Sequence, residues 1–231
     1  MASASLDGLL RVVAVGAALI GELVAPTRCA ACEERVGPRV LFCTACGASV
    51  LPPCDSGGAH AVFEYGGAVA TAIVRFKYAG RSDLAARFSA MMAAAAVALP
   101  EVELVVPVPL HPRRLAERGF DQAALLGAPI ARRLGVPHAP RALQRTRETP
   151  PQASLDRAAR SANVARAFQC RVPQTVAGRR ILLVDDVLTT GATVSACAEA
   201  LRLAGAADVR VLVLAATNRE EKSTKARNAR D

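Results

Sequence analysis

Apolar positions along the chain alternate between helical spacing and short runs typical of strands. Helical spacing covers Leu9–Val24, about Ala68–Lys77, Asp83–Leu99, about Asp121–Leu134 and Thr193–Leu203. Strand-like runs cover Ala61–Tyr65, Glu103–Pro107, Arg180–Val184 and Val209–Leu214. Strands that alternate with helices indicate parallel βαβ units, in which ligands bind at the carboxyl ends of the strands. The expected fold class is therefore α/β.

Three less regular segments divide the chain. Pro52-Pro53 and the following Asp-Ser-Gly-Gly are typical of a linker, and the tail from Arg219 is charged. The polar, Arg-rich segment Arg141–Asn163 is interpreted as a mobile loop with at most one weak helix. These boundaries predict an N-terminal helix and cysteine module over 1–55, an α/β domain over 56–218 and a tail over 219–231.

Composition excludes a disordered chain and argues against a membrane protein. Apolar residues make up 52% of 231 residues, enough for a substantial core. The longest apolar stretch, Leu9–Pro26, contains Arg11 and Glu22, so it is too short and too charged to span a bilayer. The residues before it include Asp7 and no Lys or Arg, unlike a secretory signal. We expect a cytoplasmic protein with no membrane span.

The net charge of +9 is concentrated in one block. Residues 111–180 hold 14 Arg and four acidic residues, a surplus of +10. Such a block favours phosphate ligands, whether of a nucleotide, a sugar phosphate or a nucleic acid, although a solvated Arg-rich surface is the alternative. Aromatic residues amount to 3% with no Trp, which argues against a dedicated base-stacking platform. Within the block, Phe120 and Phe168 are the aromatic candidates for base stacking.

Four of the seven cysteines form two closely spaced pairs, Cys29-x2-Cys32 and Cys43-x2-Cys46. Two such knuckles supply four thiolates, the ligand set of tetrahedral structural zinc, with no position left for a catalytic water. A redox pair or a disulfide is the alternative, and Cys54 is a possible substitute ligand. Cys170 and Cys197 are interpreted as incidental or core residues.

The most informative motif runs from Ile181 to Thr193. An apolar strand ends at two acids, Asp185 and Asp186, and a Thr-Thr-Gly turn then opens a helix. Free amides at a helix N-terminus can cradle a phosphate, while the carboxylates can take sugar hydroxyls or a hydrated Mg²⁺. A Walker loop would require Gly-Lys-Ser/Thr, and a dinucleotide-binding turn would require GxGxxG. Both patterns are absent here. A receiver domain would need more residues than follow Asp186. The motif therefore fits a phosphorylated ribose.

The stretch Ile181–Thr193 resembles the signature of type I phosphoribosyltransferases, which bind phosphoribosyl pyrophosphate (PRPP). Further segments resemble the ComF family of competence proteins: Val106–Pro109, Arg113-Arg114, Arg118–Gln122, Thr149–Gln152 with Leu155 and Arg160, Asn163 with Ala167-Phe168, and the cysteine knuckles. The resemblance covers about Cys29–Leu214. It implies a type I phosphoribosyltransferase-like parallel sheet flanked by helices, with a small N-terminal zinc-ribbon module. One departure is Asp121, where the family more often has Asn.

The resemblance also implies roles for individual residues. The PRPP site would comprise Asp185, Asp186, Val187, Leu188, Thr189, Thr190, Gly191, Ala192 and Thr193. The two acids would be the catalytic residues and would hold the ribose hydroxyls. The pyrophosphate loop would include Val108, Pro109, His111, Arg113 and Arg114, although the two Arg residues could simply be a solvated helix start. A flexible hood would carry Arg145, Gln152, Arg157 and Arg160. Lys77 and Arg81 could add to the same basic rim.

Three functions follow from the resemblance. The first is handling of single-stranded DNA during natural transformation, with PRPP and Mg²⁺ as ligands and zinc as a structural ion. The second is an active phosphoribosyltransferase that transfers phosphoribosyl to a base, in which the enzyme holds the donor and stabilises the departing pyrophosphate. The third is a scaffold whose zinc module binds a competence helicase or another uptake protein.

Overall fold

The computed structural model describes residues 26–53, 56–146 and 167–218. The predicted helix Leu9–Val24, Cys54, the hood residues Gln152, Arg157 and Arg160, and the charged tail lie outside these residues. Along the described chain the elements are α1 (Thr44–Gly47), β1 (Ala59–Glu64), α2 (Gly67–Tyr78), α3 (Leu84–Val97), β2 (Leu104–Pro107), α4 (Pro112–Arg118), α5 (Gln122–Leu134), β3 (Leu143–Arg145), β4 (Phe168–Cys170), α6 (Pro173–Val176), β5 (Arg180–Leu188), α7 (Ala192–Leu203) and β6 (Asp208–Ala216).

Four parallel strands form the central sheet in the order β1-β6-β5-β2. In the register, Val106 lies opposite Leu183, and Leu183 lies opposite Val211. The inner strands β5 and β6 are apolar over most of their length, as expected for parallel strands that are covered on both faces. The predicted parallel α/β sheet is thus confirmed.

Helices cover both faces of the sheet. One face packs against α2, α3 and α5 through a cluster that includes Phe76, Phe88 and Ile130. The other face packs against α7 and the small antiparallel β3–β4 pair, with Leu143, Phe168 and Leu201 in its core. None of the helices among the described residues is long and apolar enough to cross a membrane.

The cysteine module lies against the first of these helical layers. Ser49 Oγ accepts a hydrogen bond from the amide of Ala68 at 3.0 Å, and the rings of Phe42 and Phe63 meet edge to face with centroids 6.3 Å apart. Arg87 of α3 donates to the carbonyls of Arg28, at 2.8 Å, and Val40. Side-chain contacts and backbone-directed hydrogen bonds therefore both fix the module to the α/β domain.

Glu33 adds an ionic link between the module and α2. Its Oε1 lies 2.6 Å from Arg75 Nη1 and 3.2 Å from Arg81 Nη1. The Glu33 backbone has φ +67°, a left-handed conformation, at the turn that closes the first cysteine knuckle. Its amide donates to the Cys29 carbonyl at 3.1 Å. The same residue thus shapes the knuckle and contacts the neighbouring helix.

The structure corrects three details of the predicted elements. Residues 112–118 form α4 instead of an irregular loop, because Pro112 fits the first helical position and His111 caps the helix. Two three-residue strands, β3 and β4, flank the Arg-rich segment where only loop was expected. Finally, β5 continues four residues past Val184, so both acids lie within the strand and not after it.

Candidate functional site

Asp185 and Asp186 project from opposite faces of β5. Side chains alternate between the two faces of a strand. Asp186 therefore lies on the same face as Leu182 and Val184, which pack in the layer with α2, α3 and α5. Asp185 lies on the other face with Ile181 and Leu183, which pack in the layer with α7. Asp185 Oδ1 also accepts a hydrogen bond from the Asp186 amide at 2.8 Å. The two acids are thus adjacent but occupy different environments.

Lys77 neutralises Asp186. Its Nζ lies 2.8 Å from Asp186 Oδ1, and the two side chains are only 18% and 11% exposed. Lys77 is at the end of α2, four residues after the buried Ile73, so it continues the buried stripe of that helix. Arg81, the other predicted rim residue, faces away and pairs with Asp83 and Glu33. Of the two predicted rim cations, only Lys77 contacts the acids of β5.

The carboxyl group of Asp185 has a raised pKa. Burial, together with the adjacent Asp186 carboxylate, raises the pKa of Asp185 from 3.8 to about 8. The Lys77 charge lowers the Asp185 pKa, but by less than burial and the Asp186 carboxylate raise it. On the α7 side, burial and the Asp185 charge raise the pKa of the Cys197 thiol, which is fully buried. Cys197 is therefore a core thiol, as expected from the sequence. A strongly raised carboxyl pKa next to a second acid is typical of functional sites.

The Thr-Thr-Gly turn follows β5 and starts α7. Gly191 has φ +82° and occupies the N-cap position, where it supplies no side chain to cap α7. Thr190 Oγ1 accepts from the Ala192 amide at 3.4 Å. Thr189 and Thr190 are exposed, and Thr193 is half-buried. The turn thus presents hydroxyls and the positive end of a helix dipole beside the acids, a combination suited to an anion.

Thr217, which the sequence analysis did not identify, braces this turn. Its hydroxyl donates to the Thr189 carbonyl at 3.0 Å, and its amide donates to the Leu188 carbonyl at 2.9 Å. Thr217 directly follows β6, the neighbour of β5 in the sheet. A polar residue at the carboxyl end of an adjacent parallel strand is the sequence signal that points to it.

The segment after β2 lies at the same end of the sheet. Val108 is buried, and its amide donates to the Val184 carbonyl at 2.9 Å, so it continues the pairing of β2 with β5. Pro109 follows, and the Leu110 amide then donates to Asp121 Oδ2 at 3.3 Å. The same carboxylate caps α5 by accepting from the Ala124 amide at 3.1 Å. Asp121 thus fixes the start of α5 and the loop before α4 together.

The predicted pyrophosphate-loop cations are placed in and just before α4. His111 caps the helix, with Nδ1 accepting from the Arg113 amide at 3.3 Å. Arg113 and Arg114 occupy the first turn and are exposed, and Arg113 Nε lies 3.2 Å from Glu117 Oε1. The two Arg residues thus lie in the solvent-exposed first turn of α4.

Arg145 is the one predicted hood residue that the structure describes. It lies at the end of β3, with its guanidinium carbon 5.6 Å from the centroid of the Phe168 ring on β4. The Arg145 charge also acts on Cys197 of α7, lowering the pKa of that thiol against the larger effect of burial. Arg145 therefore lies on the α7 side of the sheet, the side toward which Asp185 projects.

The four paired cysteines converge in the N-terminal module. The Sγ atoms of Cys29, Cys32, Cys43 and Cys46 all lie within 4.8 Å of one another, and Cys32 Sγ is 3.6 Å from Cys43 Sγ. Zinc–sulfur bonds of about 2.3 Å in a tetrahedron require sulfur separations of about 3.8 Å. The cluster has the ligands and the spacing to hold a zinc ion.

The electrostatics of this cluster also favour a cation. Burial opposes ionisation of Cys29, but hydrogen bonds from the backbone amides of Cys32 and Cys43 outweigh it and lower the Cys29 pKa to about 6. In contrast, the neighbouring Cys32 side chain, with burial, raises the Cys46 pKa to about 12. Four thiols this close cannot all ionise without a counter-ion. A metal dication would supply that charge.

The chain is similar to known proteins over most of its length. Residues 121–229 match the phosphoribosyl transferase domain model. The chain is 32% identical over 206 residues to DNA utilization protein YhgH of Salmonella typhi, covering 82% of this chain and 90% of that protein. It is 31% identical over 161 residues to competence protein ComFC of Streptococcus pneumoniae, covering 67% of this chain and 66% of the relative.

Among solved structures, the chain is similar to the glutamine PRPP amidotransferase from B. subtilis complexed with ADP and GMP. The alignment covers 61% of this chain and 30% of the amidotransferase chain, at 22% identity and a TM-score of 0.43. The relationship to the family thus comes from the sequence matches. The chain belongs to the ComF family of competence-related, phosphoribosyltransferase-like proteins.

Proposed function

We propose that this protein binds PRPP with Mg²⁺ at the carboxyl end of β5 and acts in natural transformation, in the handling of single-stranded DNA in the cytoplasm. The observation that carries the proposal is the β5–turn–α7 unit. Within nine residues of chain it combines two acids, exposed Thr hydroxyls and a helix N-terminus whose N-cap residue is Gly191. A phosphorylated sugar needs this combination of hydroxyl acceptors and phosphate donors.

In this proposal the acids hold the ribose hydroxyls and the turn holds the 5′-phosphate. Lys77 pairs with Asp186 Oδ1 at 2.8 Å, and the Asp186 carboxylate oxygens can accept hydrogen bonds from ribose hydroxyls. Asp185, with its raised pKa, can instead donate a hydrogen bond when protonated. The amides of α7, with Thr189, Thr190 and Thr193, then bind the phosphate.

The pyrophosphate group would extend toward the start of α4. His111 lies there, and Arg113 and Arg114 offer positive charge in the exposed first turn. Arg145 would approach from the hood side, with Gln152, Arg157 and Arg160 of the same segment. Guanidinium groups suit this role because they donate several hydrogen bonds to phosphate oxygens and remain charged.

Magnesium fits the donor set at this edge of the sheet. Asp185 and Asp186 offer carboxylate oxygens, the hard ligands that Mg²⁺ prefers, and Lys77 already neutralises one of the two charges. In phosphate sites Mg²⁺ keeps waters and is held mainly by substrate oxygens and one or two carboxylates. The ion would neutralise the pyrophosphate charge of PRPP.

The cysteine module would hold a structural zinc ion. Its four thiols fill a tetrahedral coordination sphere, so no position remains for substrate. Because Arg87, Ser49 and Glu33 connect the module to α2 and α3, zinc would stabilise the first helical layer as well as the module itself.

The role in DNA handling draws support from the relatives and from charge. One relative is named a DNA utilization protein and another a competence protein. Residues 111–180 carry a surplus of ten positive charges. If DNA binds this surface through its phosphates, affinity should fall steeply as salt rises, and salt-independent binding would contradict direct DNA recognition by the Arg block.

Calorimetric titration of PRPP into the zinc-loaded full chain tests the proposal. Magnesium-dependent binding is expected for the wild type and should be lost in the double variant Asp185→Asn/Asp186→Asn. Asp208→Asn is the matched control, since Asp208 begins β6 at the opposite end of the sheet and pairs with Arg210. No binding by the folded wild type would overturn the proposal.

An active phosphoribosyltransferase is the second candidate, favoured by the match to the transferase domain. It requires magnesium-dependent consumption of PRPP in the presence of an acceptor base. A screen of purine and pyrimidine bases that measures released pyrophosphate would decide between catalysis and binding alone.

A further inference from the structure

Tyr78 is the aromatic side chain that the structure leaves mainly exposed. All eight aromatic residues of the protein lie in the described ranges, and the other seven are buried or half-buried. Tyr78 is 67% exposed. The two aromatics considered from the sequence for base stacking both pack against the core: the half-buried Phe120 ring lies tilted against Phe76, with centroids 5.8 Å apart, and Phe168 is 4% exposed.

Arg118 holds the Tyr78 ring in place. Arg118 Nη2 donates to Tyr78 Oη at 2.7 Å, and the guanidinium carbon lies 4.7 Å from the ring centroid. Arg118 Nη1 donates in turn to Oε1 of Gln122, which is buried. The guanidinium is thus anchored to α5 while it contacts the ring. An exposed ring held this way loses little conformational entropy when it binds a ligand.

Both residues end helices beside the candidate site. Tyr78 is the last residue of α2 and Arg118 the last of α4, and Gly80 and Gly119 with positive φ turn the chain just beyond them. The residue before Tyr78 is Lys77, which contacts Asp186. The Phe76–Phe120 contact packs the two segments together. The ring is therefore one residue along the chain from the Lys77–Asp186 pair.

We infer that Tyr78 and Arg118 form a stacking site for a single nucleobase at the edge of the PRPP site. The inference rests on the proposed function, which brings a nucleobase to this edge either as a free acceptor or as part of single-stranded DNA. A base stacks on aromatic faces whatever its sequence, and an adjacent guanidinium can stack on the base or bind a phosphate. One rigid ring fits one base, consistent with a chain so poor in aromatics.

The protein contains no Trp, so Tyr78→Trp places a single fluorescent reporter at the site. Stacking of a base on the indole is expected to quench its fluorescence. The two probes are free adenine, with and without PRPP and Mg²⁺, and a twelve-nucleotide oligo(dT). Quenching by adenine only with PRPP identifies an acceptor base, whereas quenching by oligo(dT) without PRPP identifies single-stranded DNA.

Affinity measurements on Tyr78→Leu and Tyr78→Phe separate stacking from folding. Leu keeps an apolar side chain without a π face, and we expect about tenfold weaker binding of the quenching probe. Phe keeps the ring but loses the hydroxyl bond to Arg118, and we expect affinity within about threefold of wild type. Val74→Ala, one turn earlier on α2 and also exposed, is the matched control.

The outcomes are distinguishable from failure of the proposed function. Each variant is also titrated with PRPP and Mg²⁺, and PRPP binding should be retained in all of them. If PRPP binds but neither probe quenches the indole, or if Tyr78→Leu binds the probe as wild type does, the stacking site is overturned. If Tyr78→Phe weakens probe binding as much as Tyr78→Leu does, the contact between Tyr78 and Arg118 has only a structural role. If PRPP itself does not bind the wild type, the proposed function fails.

Discussion

Lys77 and Asp186 are 109 positions apart in the sequence, yet Lys77 Nζ lies 2.8 Å from Asp186 Oδ1. The contact joins the last turn of α2 to the central strand β5. Because both side chains are mainly buried, neither charge is well solvated by water. The stability of the sheet edge and the ionisation of the candidate site thus depend on the same pair.

Removal of Lys77 should destabilise the protein. Lys77→Met leaves the Asp186 carboxylate without its partner, and we expect the free energy of unfolding to fall by about 2–3 kcal/mol in urea denaturation. The double variant Lys77→Met/Asp186→Asn should recover most of that loss, because the uncompensated charge is gone. A double variant as unstable as the sum of the two single variants would argue against the pair.

Asp185 should make the stability of the ligand-free protein fall as pH rises. Its pKa is raised from 3.8 to about 8, so the folded state holds this proton more tightly than the unfolded chain. The stabilising contribution is complete below about pH 3.8 and is lost as pH rises through about 8. Asp185→Asn removes the dependence. Its stability relative to wild type should rise by roughly 3–4 kcal/mol from pH 5 to pH 8, so the difference in Tm should widen by about 7–15 °C for a chain of this size.

Thermal scans at matched pH values measure this difference, with Asp208→Asn as the control acid. Asp208 pairs with Arg210 of the same strand, β6, so its substitution should not produce a widening margin. A constant difference between Asp185→Asn and wild type across pH 5–8 would show that Asp185 ionises normally in the folded protein.

Loss of one cluster thiol should release zinc. Purified wild type is expected to contain about one zinc per chain by elemental analysis, and Cys43→Ser should contain little, because three thiolates bind structural zinc poorly. Cys170→Ser, on β4 far along the chain from the cluster, should retain the metal. Chelation should lower the Tm of wild type but not of Cys43→Ser. Full zinc content in Cys43→Ser would contradict the cluster.

Gly67 should tolerate no side chain where the cysteine module meets α2. It has φ +46°, and a Cβ there would lie 2.6 Å from the Ser49 carbonyl oxygen. We expect Gly67→Ala to cost about 1–3 kcal/mol of unfolding free energy through backbone strain and this clash. Gly66→Ala is the matched control: Gly66 is extended, and its Cβ would meet nothing within 4 Å. Equal urea midpoints for the two variants would rule out the close approach.

Long periodic elements were predictable from the sequence, and short ones were not. The boundaries of α5 and α7 agree with prediction within one residue, because both helices have a clear buried face. Helix α4 has seven residues and no buried side chain, so the sequence shows no periodic spacing of apolar residues there. The three-residue strands β3 and β4 depend on pairing across the Arg-rich segment, a long-range contact that local pattern does not contain.

The candidate site shows the same division. The motif around Asp185 and Gly191 was readable because its chemistry is contiguous in sequence. Lys77 and Arg81 looked equivalent from the sequence, yet only Lys77 reaches an acid of β5, because the last turn of α2 directs it inward while Arg81 lies beyond the helix. The exposed ring of Tyr78 and the brace from Thr217 depend on three-dimensional neighbours and could not be read from local spacing.

The opposite orientation of Asp185 and Asp186 has a consequence for insertions and deletions. Deleting one residue from the first half of β5 would shift the register and move each acid to the other face of the sheet, together with the apolar side chains between the deletion and the acids. Asp186 would then face away from Lys77, and apolar residues would exchange layers. Loops on the surface can change length freely, but β5 cannot. Length in this strand is therefore as much a requirement of the site as the acids themselves.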